Sequence, residues 1–179
     1  MPDGHVTVPR PPLRLVSGAE ECPAADRGVD ELATAQRFLL WAARQWLVQY
    51  RAGERVGGLL RDGFHHANIG DATTPFREFM TGLAGGARRP IDLRCLHCPW
   101  LSPDEAALLE AAACLQRDRQ DRAGTLLAGL ATSMAVRISM PRLDVVAQIM
   151  ACADLIVPAP PDIATHVLRA GHPGIALMQ

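Results

Sequence analysis

The chain has 179 residues and a formal net charge of −1, so it carries no strong overall field for nucleic acid. About half of the residues are apolar (49%) but only 4% are aromatic, which leaves the core to Ala, Leu, Val and Met and points to helices. Five scattered Cys, an odd number, do not make a secreted disulfide framework, and no apolar run reaches membrane-spanning length. No leader-like apolar run follows Met1, so a cytoplasmic protein is expected, with no membrane partner. Every basic residue is Arg, a composition that matches a GC-rich bacterial genome.

Residues 1–28 hold Pro2, Pro9, Pro11, Pro12 and Pro23 with little periodicity, and read as an extended arm. Within it, VTVPRPPLRLV is apolar enough to lie as a strand on the helical body. The body is expected over residues 29–157, followed by a tail over 158–179 with a possible short helix at Asp162–Arg169.

The longest patterned segment runs from about Asp30 to Arg51. At 100° per residue, Leu32, Ala35, Leu39, Ala42, Trp46 and Tyr50 fall opposite Arg37 and form a broad apolar arc. Arg37, Arg44 and Arg51 recur every seven residues as a basic stripe expected to face solvent. Trp41 and Val48 project within that stripe. A neighbouring helix over Trp41 is the plain explanation. The sharper one makes Trp41, Arg37, Arg44, Val48 and Arg51 a docking surface, because Trp and Arg are enriched at interface hot spots. From Arg37 to Arg94, nine Arg face five acids, a local excess that a solvated face accounts for.

Gly53 is placed to end this helix, and a second is expected over Glu54–Ala67, where Gly57, Gly58 and Gly63 signal close packing or weakness. Thr74-Pro75 reads as the start of a third helix that closes at Gly85-Gly86. The stretch ARRPIDLRCLHCPWL reads as an irregular connector. Ser102-Pro103-Asp104-Glu105 is the clearest local signal, a capping box with Pro in the first turn. It opens a fourth helix, which should form a hairpin with a fifth over about Arg122–Val136. Pro141 is expected to start a sixth.

Chemistry has one candidate. Cys95 and Cys98, in CLHC, have the spacing of half a tetrahedral metal site or of a small redox ring. A zinc site would need His97, His65, His66 or Cys114 as further ligands. A thioredoxin-like role fits poorly, since no βαβ pattern surrounds the pair. No nucleotide-binding loop, HExxH or nucleophile elbow occurs.

These residues predict an all-α, irregular bundle of about six helices with extended arms. They are expected to belong to a non-catalytic interaction or regulatory protein acting through self-association, as a dimer for instance, or through a protein partner, without a cofactor. The alternative is a zinc-binding or redox-sensing protein built on Cys95 and Cys98.

Overall fold

The computed structural model describes residues 13–16, 28–52 and 58–158. Among them are six α-helices: α1 (Thr34–Ala52), α2 (Gly58–His66), α3 (Thr73–Gly85), α4 (Pro103–Leu115), α5 (Gln120–Ala128) and α6 (Ser133–Cys152). The architecture is the expected all-α bundle. One short parallel ladder accompanies it, in which β1 (Leu13–Val16) pairs with β2 (Ile91–Arg94), Leu13 beside Ile91 and Val16 beside Arg94. The apolar LRLV of the arm therefore does lie extended on the body. The connector after α3 is not wholly irregular, because Pro90 precedes four residues that form a strand. The expected Gly53 cap and tail helix at Asp162–Arg169 lie outside the described residues.

The few aromatics are concentrated where α1, α2 and α3 meet. Phe64 sits edge-on to Phe38 at 5.1 Å and 5.4 Å from Phe76, and Phe38 lies 5.8 Å from Trp41. Such pairs add about 0.5–1.5 kcal/mol beyond the area they bury. Gly63 of α2 lies directly against the Trp41 ring, and a Cβ there would strike it. Close approach thus accounts for this glycine, whereas Gly58 faces open space. The most extensive helix pairing joins α3 to α6, where Gly82 admits Ser139.

Three helix ends share one device. Asn68, Asp118 and Asp154 adopt left-handed φ of 57°, 55° and 59° just past α2, α4 and α6. In each case the next amide reaches back to the last turn: Ile69 N–H to Phe64 O, Arg119 to Cys114 and Leu155 to Met150, all at 2.9 Å. Asn and Asp visit this region at less cost than other side chains, so they can replace the usual glycine.

Two helix starts differ from expectation. α3 begins at Thr73, after a 3₁₀ turn at Gly70–Ala72, and no side chain caps it. The Thr73 hydroxyl instead donates to Gly70 O at 2.7 Å. More consequentially, Pro141 does not start a helix. It lies inside α6, which begins at Ser133 behind an N-cap at Thr132. An interior proline costs about 3 kcal/mol relative to Ala. The helix persists because buried residues anchor it on both sides of the proline, Ala135, Val136 and Ser139 before it and Leu143, Val146, Ala147 and Met150 after. Pro141 itself is exposed, so the carbonyl it leaves unbonded is on the wet side. Residues 122–136, expected as one helix, are accordingly divided at Gly129–Thr132 between α5 and α6.

Candidate functional site

Arg44 occupies the middle of α1, in the stripe expected to face solvent, yet it is 2% exposed. Its guanidinium meets Glu105 of α4 side-on, Nε to Oε1 and Nη2 to Oε2, both at 2.8 Å. Nη1 donates to Cys95 O (3.2 Å) and Cys98 O (2.7 Å), and Nη2 also donates to Trp100 O (2.8 Å). All five N–H donors of the fork are therefore used. Glu105 is equally occupied. Besides Arg44 it accepts from the Arg94 and Ser102 backbone amides at 2.8 and 3.0 Å.

The expected capping box is thus present, with Glu105 N–H donating back to the Ser102 hydroxyl at 3.1 Å. Its glutamate does more than cap. It receives the arginine that holds three carbonyls of the CLHCPW turn, and so ties α1, β2 and α4 into one knot. A buried ion pair this fully bonded adds little net stability against apolar packing. Deleting one partner, however, strands the other charge at about 3–5 kcal/mol.

A second pair braces the same helix start. Arg89 grips Asp104 with two 2.7 Å contacts, and the Asp92 amide donates to Asp104 at 2.8 Å. Burial alone would push the Asp104 carboxyl up. The Arg89 and Asp92 hydrogen bonds, together with the Arg89 charge, outweigh that and hold it below the usual carboxylate range. Arg89 is correspondingly raised, chiefly by its bond to Asp104.

These contacts correct the docking surface expected on α1. Arg44 points inward to Glu105 and does not belong to that surface. Trp41 is half-buried under α2 at Gly63, Val48 is half-buried, and only Arg37 and Arg51 at the two ends of the stripe are exposed. The covering neighbour, not a free aromatic patch, explains Trp41.

The expected metal ligands are scattered by exposure and position. Cys98 is buried, Cys95 half-buried and His97 exposed, while the His65 ring packs over Gly70. Both Cys are free thiols, and the Cys98 amide donates to Cys95 O at 3.1 Å to close the turn. His66 contacts Asp62 O through Nδ1 at 2.7 Å. Burial pushes the Cys114 thiol up, despite three arginines nearby, so it is a poor thiolate donor. Among the described residues no three His, Cys, Asp or Glu come together in a group that could hold a metal ion.

A cleft of about 560 Å³ opens between α1, α3 and α6, large enough for a small molecule. Tyr50 stacks on Trp46 at its α1 side, with ring centroids 4.7 Å apart. Its lining contains no Cys or His, and its one carboxylate, Glu78, is paired with Arg142 at 2.7 Å. The Ser139 hydroxyl is spent on Ala135 O at 2.6 Å.

The feature that sequence reading missed is on α6. Met134 (56% exposed), Ile138 (60%) and Val145 (45%) are half of the large apolar side chains left in solvent among the described residues. At 100° per residue these three, with exposed Pro141 and Cys152, lie within about 40° of one line down the helix. α6 thus has a buried apolar face and an outward apolar stripe. The signal was present in the spacing of 134, 138, 141 and 145, but starting the helix at Pro141 removed half of it. No helix is long and apolar enough to cross a membrane among the described residues.

No family model matches this chain, and comparison with curated proteins and with solved structures finds no match either.

Proposed function

We propose that this protein is a non-catalytic interaction protein that docks a second copy of itself or another protein through the outward face of α6. The observation that supports this is the line of Met134, Ile138, Pro141 and Val145, which stands exposed beside a core that is otherwise well covered. Scattered surface apolar residues are ordinary, but a contiguous line of them along one helix is a contact surface awaiting a cover. Amphipathic helices meet partners through positions spaced three and four apart, which is the spacing here.

The chemistry elsewhere agrees with a binding role. The ionic cluster around Arg44 is consumed by structural bonds, and the cleft pairs its carboxylate with Arg142. The stripe of α1 does not offer such a face, because Arg44 is buried against Glu105 and Trp41 is half-buried beside Gly63.

A photo-crosslinking residue placed at position 138 in cells, with exposed Asp62 of α2 as the control position, tests it. Protein adducts should form at 138 well above the yield at 62. Equal yields at the two positions would remove the reading.

A further inference from the structure

The flanks of the same stripe carry a charge pattern that selects its occupant. Arg137 and Asp144 both lie on one side of the line, about 60° and 80° from Met134 around the helix. Arg142 lies on the other side, about 80° away. Arg142 is already neutralised by Glu78. Arg137 has only the Met134 sulfur at 3.3 Å, and Asp144 only the Gln148 amide at 3.4 Å. The two charges on the shared flank thus lack an ionic partner among the described residues.

Resting on the reading of α6 as a docking face, we infer that the partner is a second copy of this chain, with the two α6 helices packed antiparallel about a two-fold axis next to Pro141. In an antiparallel pair, like flanks face each other and levels are reversed. Reversal about the midpoint of residues 140 and 141 brings Arg137 opposite Asp144 of the second copy, twice by symmetry. A parallel pair would instead set Arg137 and Asp144 against the flank of Arg142, whose charge Glu78 already pairs, and would leave Arg137 without an acid across the seam.

The apolar stripe fits the same register. Read along the seam, Met134 is followed by Val145 of the second copy, then Ile138, then the two Pro141 rings, then the same order mirrored. Successive residues fall about two helical positions apart, near 3 Å, except the two Pro141 rings, which meet at the axis about one position apart. Charge and apolar spacing are independent features of the sequence, and both are satisfied by one axis.

The test is a charge-exchange cycle on the full-length protein, read by sedimentation velocity across a concentration series. Arg137→Asp and Asp144→Arg should each weaken the dimer by about tenfold, because each places two like-charge pairs across the seam. The double variant should return to within about threefold of wild type. An equimolar mixture of the two single variants should associate better than either alone, since the mixed pair restores both attractions. Circular dichroism of each variant should match wild type.

Single variants that weaken association without rescue in the double variant or the mixture would overturn this register. A chain that stays monomeric throughout, with crosslinks from position 138 going only to another protein or to its own residues 159–179, would overturn the second copy as occupant. The first of those outcomes leaves the docking reading of α6 standing, whereas equal crosslinking at 138 and 62 would remove both.

Discussion

Two arginines on two long helices show how differently one periodic pattern can be used. Arg44 on α1 and Arg137 on α6 both sit in stripes that mix apolar and basic residues. Arg44 is enclosed by Glu105 and three connector carbonyls, while Arg137 faces water. On α1, the connector and α4 enclose Arg44 from one side and α2 covers Trp41 from the other, while Arg37 and Arg51 stay exposed. On α6, Met134, Ile138 and Val145 of the outward line stay exposed, with Ile138 at the edge of the cleft shared with α1 and α3. Helical periodicity tells which residues share a face. Whether that face is a core, a seam or a surface depends on what the rest of the chain lays over it.

The sharpest way to break this comparison is to remove each arginine in turn. Arg44→Ala should cost about 3–5 kcal/mol, because Glu105 would remain charged and buried without its partner. Arg137→Ala should change stability by no more than about 0.5 kcal/mol in dilute protein, as expected of an exposed side chain. Denaturant midpoints at fixed protein concentration measure both. Equal losses would show that the two arginines are not in opposite settings.

A smaller effect is expected at the cap. Ser102→Ala removes the oxygen that accepts from Glu105 N–H and the hydroxyl that donates to Asp92 O at 2.5 Å. It should cost about 1–2 kcal/mol, at the upper end for an N-cap because the residue is wholly buried. A loss near zero would mean that Glu105 and Arg44 hold the start of α4 without it.

The smallest effect is a change in acid sensitivity. Asp104 has a folded pKa below its unfolded value of about 3.9. Its pairing with Arg89 therefore stabilises the fold fully above that value. The contribution fades as the pH falls from there through the lower folded pKa. Asp104→Asn should lower stability at neutral pH and flatten the decline below about pH 4. An unchanged acid limb in that variant would show that other carboxylates set it.

How much of this was legible beforehand depended on range. The Ser102–Glu105 box was readable because its partners are three residues apart and the bond follows from local geometry. The apolar LRLV of the arm was readable as a strand, though its partner Ile91–Arg94 was read as irregular. The Arg44–Glu105 pair was not readable, because 61 residues separate them and nothing local marks an arginine for burial. Placing Arg44, Trp41 and Val48 together on a free surface failed for that reason. Reading Pro141 as a helix start followed the proline's own preference. Tertiary anchoring by Val136 and Ser139 on one side and Leu143 and Val146 on the other overruled it, and with it the outward stripe of α6 was hidden.

By itself, the sequence determined the class of this protein. Its Ala- and Leu-rich composition, helical spacing and caps compel a bundle, since these preferences act within one or two turns. Tertiary structure alone decided which stripe was turned inward and which was left to solvent. That choice turns on burying a charge only where every donor finds an acceptor, and only the assembled α1, connector and α4 provide those acceptors.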